Sequence, residues 1–150
     1  MSITIKEINI PTIECDYENI IILPTNFTEQ ENHTYQSSSL SFYKYAKQSL
    51  EVDFLNTPEL LFEQNSADWF GPVILITSSA LTQNPELISI TCGVISNYLS
   101  DCFKGKEQPE VSLKIVHKVT KTTKTTEISY TGSGENLSEL RDAILEVAKK

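Results

Sequence analysis

Val73-Ile74-Leu75-Ile76-Thr77 decides the architecture. The run is aliphatic and β-branched without a break, which predicts a strand buried on both faces of a sheet. Ser78–Gln83 then leads into Asn84-Pro85-Glu86-Leu87, a helix start by its chemistry: a capping residue, proline at the first helical position, and a carboxylate facing the positive dipole end. Upstream, Val52–Leu55 is followed by Thr57-Pro58-Glu59-Leu60, the same order of strand, cap and Pro-Glu-Leu, with a helix expected to about Gln64. Two successive strand-to-helix units predict parallel strands joined by right-handed crossovers.

Working outward, Trp69-Phe70-Gly71-Pro72 reads as a turn. The central helix is expected from Pro85 to about Phe103, and an earlier one from Leu40 to Leu50, where Leu40, Tyr43 and Ala46 recur at a three-residue step. Val111–Val119 alternates as an amphipathic strand, with Val111, Leu113, Ile115, His117 and Val119 on one side. Thr120–Thr126 is a lysine-bearing connection, and Glu127–Thr131 returns antiparallel at a sheet edge. Asn136 with Glu139 caps a last helix striped by Leu137, Leu140, Ile144 and Val147. At the other end, the alternating Ser2–Ile10 and the apolar Ile20–Leu23 predict a hairpin within residues 1–24, and the polar, aperiodic residues 25–39 predict a loop. The expected fold is a single α/β domain over 1–150 with a mixed, mostly parallel sheet. Its βα units place Val52–Leu55, Val73–Thr77 and Val111–Val119 parallel, and a C-terminal β-hairpin and helix follow.

The chain has 150 residues, 39% of them hydrophobic and 21% charged. That is ordinary globular usage and excludes collagenous, coiled-coil and wholly disordered classes. Twelve basic against twenty acidic residues give a net charge of −8. Residues 1–103 carry only Lys6, Lys44 and Lys47 against thirteen carboxylates, while residues 104–150 carry nine basic and seven acidic residues. A body of this sign with Arg141 as its sole arginine argues against nucleic-acid binding. It also raises the reading of an acidic inhibitor that occupies a nucleic-acid-binding protein. Cys15, Cys92 and Cys102 are odd in number and lack C-x-x-C spacing. On one helix Cys92 and Cys102 would stand about 15 Å apart, too far for a disulfide. No zinc spacing includes His33 or His117. No charged-then-apolar leader opens the chain and no apolar run nears the roughly 20 residues of a membrane span, so the reading is a cytoplasmic protein with no membrane or metal partner.

No G-x-G-x-x-G, phosphate-binding or G-x-S-x-G motif occurs, and no catalytic residue or cofactor is assigned. Glu59, Glu63 and Asp68 form a carboxylate set that reads as an exposed helix face. His117 reads as a histidine bonded at the core rim. For small molecules, Asn56-Thr57 and Thr77-Ser78-Ser79 lie at expected strand C-terminal ends, where hydroxyls and helix amides hold anions, making a nucleotide-like ligand the candidate. For protein partners, Ser89, Gly93, Ser96 and Ser100 form a small-residue line on the central helix. Glycine there costs up to about 1 kcal/mol against alanine, so close approach of a helix from this chain or from a partner is expected. Trp69 reads as a core plug or an exposed anchor, and Lys118, Lys121 and Lys124 as a basic hairpin tip facing acidic surfaces. The leading expectation is a non-catalytic interaction module, a small bacterial accessory subunit that assembles with itself or a larger protein.

Overall fold

The computed structural model describes residues 2–9, 17–29, 33–56, 58, 60–62, 69–105, 109–119, 124–134 and 137–149. The elements in chain order are β1 (Ser2–Asn9), β2 (Ile20–Leu23), β3 (Thr34–Gln36), α1 (Ser38–Ala46), β4 (Val52–Phe54), β5 (Leu60–Phe62), β6 (Trp69–Thr77), α2 (Ser78–Gln83), α3 (Leu87–Cys102), β7 (Glu110–Lys118), β8 (Lys124–Ser133) and α4 (Leu137–Ala148). A six-stranded sheet runs β1-β8-β7-β6-β2-β4, and β3 and β5 form a small parallel pair. All four helices contribute to one core cluster on a single face of the large sheet, giving an α/β fold of two layers.

The sheet is mixed but not mostly parallel. β1–β8, β8–β7 and β6–β2 are antiparallel, and β7–β6 and β2–β4 are parallel. Among the three strands expected to run together, β6 and β7 do, joined by the α2–α3 crossover. β4 is reversed relative to β6 because β2 lies between them, parallel to β4 and antiparallel to β6. The cause is local. Residues 60–62, expected in a helix, form the strand β5, so among the described residues no helix stands between β4 and β6 to lay them side by side. A short Leu-Leu-Phe run suits either structure, and pairing with β3 decides it.

The N-terminal hairpin is also corrected. β1 pairs with β8, and β2 sits four strands away between β6 and β4. All four β2 residues are buried, which requires cover on both faces and a central place in the sheet. β1, half-buried at best, takes the edge. β8 is consequently not an edge strand. The loop expected over 25–39 contains β3 and the start of α1, with Thr25 N and Oγ1 both bonded to the Thr34 carbonyl. Trp69-Phe70-Gly71-Pro72 is not a turn but the first part of β6, and the register with β7 shifts between Phe70 and Val73. Pro72 cannot donate to a ladder, and an irregularity of this kind accommodates it. Gly71 is required by close approach, since a Cβ there would collide with Leu113 and the Trp69 ring.

One cross-strand row organises the helix-covered face. In register from one edge to the other stand Phe54, Ile22, Ile74, Ile115, Ile128 and Ile5. Ile22, Ile74, Ile115 and Ile128 are each 0% exposed, whereas Ile5 on β1 is 53% exposed. Among the described residues no helix is long and apolar enough to cross a membrane.

Candidate functional site

A concavity lies on the outer side of α3, where α4 packs beside it. Leu87, Ile88, Thr91, Cys92, Val94, Ile95, Tyr98 and Leu99 form the buried face of α3. Their spacing covers the wide apolar sector of a helix lying on a sheet. An aromatic group anchors it: Tyr98 meets Phe42 at 5.6 Å, Tyr45 at 5.3 Å and Trp69 at 5.7 Å between ring centroids. The Tyr98 hydroxyl donates to Ser41 Oγ, and Tyr45 donates to Asp101. α4 buries Leu137, Leu140 and Ile144. What remains between the two helices is a groove of about 270 Å³ lined by Ser89, Cys92, Gly93, Ser96, Leu137, Ser138 and Arg141.

The small-residue line therefore falls on this groove for Ser89, Gly93 and Ser96, while Ser100 is exposed beyond its lining. Among the described residues Gly93 serves no internal packing: a Cβ built there meets nothing within 4 Å. The contrast with Gly71, where a side chain has no room, is direct. Ile90, one turn from Gly93, is among the few exposed large hydrophobics. Arg141 stands at the groove with its guanidinium 3.4 Å from Asp142; Asp142 is largely in solvent and Arg141 partly so. Burial pushes the Cys92 thiol up to about 11, against the opposing pull of Arg141, so it is a neutral group at physiological pH and not a nucleophile. Sequence reasoning missed Arg141, Ser138 and Leu137. The leucine stripe of α4 implied a face for Ser138 and Arg141, but nothing local named α3 as its neighbour.

The residues proposed for a small-molecule site do not converge. β4 and β6 run in opposite senses, so Asn56 and Thr77 lie at opposite ends of the sheet. Thr77 is fully buried and acts as the α2 cap, its hydroxyl accepting from Ala80 N at 3.1 Å and donating to the Tyr17 carbonyl. Ser78 and Ser79 are half-buried at the start of a helix of six residues. Asn56 is committed to an internal network: Oδ1 accepts from the Tyr35 hydroxyl at 2.7 Å and Nδ2 donates to His33 Nδ1 at 2.6 Å. Thr57 lies outside the described residues, as do Glu59, Glu63, Asp68, Cys15 and Lys121.

Trp69 is half-buried against Tyr98 and the helix-side core, a plug and not an exposed anchor. Lys118 is 3% exposed, so it offers no charge to a partner, whereas Lys124 is exposed. The alternation that makes Lys118 look solvent-facing ends where both sides of β7 become covered, from Ile115 onward. His117 is buried, and its Nδ1 donates to the Ile76 carbonyl at 3.0 Å. A smaller hollow of about 140 Å³ opens on the helix-free face beside the β6 irregularity, where Thr25, Gln36, Phe70, Ser112, Lys114 and Thr131 contribute. Lys114 is held there by Glu127 at 3.2 Å. Among the described residues no three His, Cys, Asp or Glu side chains come together as metal ligands.

Comparison with family models, with curated proteins and with solved structures returns no match.

Proposed function

We propose that this chain is a non-catalytic protein–protein interaction module, an accessory or assembly subunit that receives a helix of a larger partner in the α3–α4 groove. The observation that carries the reading is Gly93. Its lack of a side chain is used by none of the described residues of its own chain, yet glycine in mid-helix destabilises by up to about 1 kcal/mol relative to alanine. A partner helix seated against Ser89, Gly93 and Ser96 accounts for that cost, because small residues let two helices approach closely. Exposed Ile90 supplies apolar area beside the line, and Arg141 supplies a donor for a carboxylate on the arriving helix. The chemistry of the groove suits recognition: three hydroxyls, a cation and a neutral thiol, with no activated nucleophile.

The test is a tagged pull-down at near-physiological salt, comparing wild type with Gly93→Leu and identifying retained proteins by mass spectrometry. Because a side chain at 93 enters open space and relieves the cost of glycine in mid-helix, Gly93→Leu should keep or raise its melting temperature and lose a stoichiometric partner that wild type retains. A partner held equally by both proteins would refute the groove.

A further inference from the structure

A second surface, independent of the groove, lies at the β1 edge of the sheet. β1 spans Ser2–Asn9, and among the described residues no strand pairs with its outer side. An antiparallel edge strand of this length presents a row of unpaired amides and carbonyls along its free side. The opposite edge, β4, spans only Val52–Phe54. β1 also carries the free end of the isoleucine row. Ile22, Ile74, Ile115 and Ile128 are fully buried in register, and Ile5 ends the row half in solvent. A row that is dry on four central strands and wet on the fifth lacks one neighbour.

We propose that the neighbour is β1 of a second copy, paired antiparallel about a two-fold axis with Ile5 opposite Ile5, so that two sheets become one. An isologous contact of this kind requires self-complementarity, and β1 supplies it. Directly opposed residues share a face of the sheet, so with Ile5 on the axis, Thr4 meets Lys6 of the second copy, Ile3 meets Glu7, and Ser2 meets Ile8. The isoleucine row then continues without interruption from one subunit into the next. Other registers are inferior: centring on Lys6 opposes lysine to lysine, centring on Glu7 opposes glutamate to glutamate, and centring on Thr4 shortens the ladder to Ser2–Lys6. Like charges directly opposed across strands are destabilising. Charge also favours a second copy at this edge. The chain carries −8 overall, but Lys6 and Glu7 cancel on β1, so two acidic molecules approach here with no local excess of one sign.

Sedimentation equilibrium and disulfide trapping test the proposal together. Wild type is expected to sediment as a dimer in the micromolar range, and Ile5→Lys, which opposes two lysines on the axis, as a monomer with an unchanged far-ultraviolet spectrum. Trapping uses Ile5→Cys in a background of Cys15→Ser and Cys102→Ser. Opposed residues of an antiparallel pair have Cα atoms roughly 4.5–5.5 Å apart, inside the disulfide range. Mild oxidation should therefore convert Ile5→Cys to a covalent dimer, while Thr4→Cys, facing Lys6, stays monomeric on a denaturing gel. A wild type that is monomeric throughout, including one that captures an extended peptide of another protein instead, overturns the proposal. So does a dimer that survives Ile5→Lys, or one in which Thr4→Cys links and Ile5→Cys does not. If Ile5→Lys fails to fold, the cysteine pair decides alone.

Discussion

The two faces of the six-stranded sheet come from the same strands and solve burial differently. On β7, Ile115 points into the large cluster formed with all four helices, and the next residue, Val116, points into a small cluster with Ile21, Leu23, Phe27, Val73 and Leu75. Both are 0% exposed. Two residues before Val116, however, Lys114 on the same face reaches solvent and pairs with Glu127. The helix side is thus apolar from β4 to β1, while on the other side the fully buried apolar residues of the strands lie on β2, β6 and the adjoining part of β7, with Ile8 and Leu55 packed partly buried against them. The difference explains why β2 and β6 are continuous hydrophobic runs and β8 alternates: each strand's pattern reports what lies above and below it, not the strand alone.

The sharpest way to break this comparison is to delete equivalent packing on each face. Ile115→Ala is expected to cost about 2–5 kcal/mol, because the helices over it cannot collapse fully into the space. Val116→Ala should cost about 2 kcal/mol, near the transfer value of two methylenes, since the thinner cover relaxes more readily. Urea unfolding of both variants measures the difference, and losses that differ by no more than the one extra carbon of isoleucine, about 0.8 kcal/mol, would erase the distinction between the faces. Gly71→Ala probes the join between them at the β6 irregularity. Its new methyl meets Leu113 and the Trp69 ring, so a loss of about 1–3 kcal/mol is expected in the same assay.

Acid provides a third probe, confined to the helix face. Burial holds the His117 imidazole below its ordinary value, only partly offset by the bond to the Ile76 carbonyl. The unfolded chain accepts a proton near pH 6.5 that the folded chain refuses, so this contribution is intact above about 6.5 and is lost as pH falls through the lower folded value. Thermal melts should decline over that window, and His117→Gln should flatten the decline. The smallest effect belongs to the polar side. Lys114→Met is expected to change stability by less than about 1 kcal/mol, because the Lys114–Glu127 pair is half in water and screened. A larger loss on calorimetry would mean the helix-free face depends on that pair.

The parts of the fold legible in sequence are those set by neighbours along the chain. α3 and the β7–β8 hairpin follow from periodicity, because the residues that bury each element are spaced by its own geometry. The position of β2 does not, because Ile20–Leu23 states only that both sides are covered and not by which strands. Trp69–Pro72 misled for a related reason: Gly-Pro usually marks a turn, and here Gly71 answers to Leu113, more than forty residues later. At the groove, Ser89, Gly93 and Ser96 were visible as a line on one helix. Arg141 was not, since β7 and β8 separate α3 from α4 in the chain and only the folded sheet beneath them brings the two helices together. Lys118 was misjudged where strand alternation gives way to cover on both sides.

The pairing of β1 with β8 also sets a schedule for synthesis. Ile5 and Ile128 are 128 − 5 = 123 residues apart in the chain yet adjacent in the sheet. At about 5–20 residues per second, β1 waits roughly 6–25 s on the ribosome for its partner strand to be made. Throughout that interval Ser-Ile-Thr-Ile-Lys-Glu-Ile-Asn is an unpaired, strand-forming segment, and Lys6-Glu7 is the only charged interruption in it. The sheet can grow from β2 through β7, but its closing step belongs to the finished chain. A nascent form stalled before residue 124 would display its first strand to the cell's chaperones and to its own siblings on the same message.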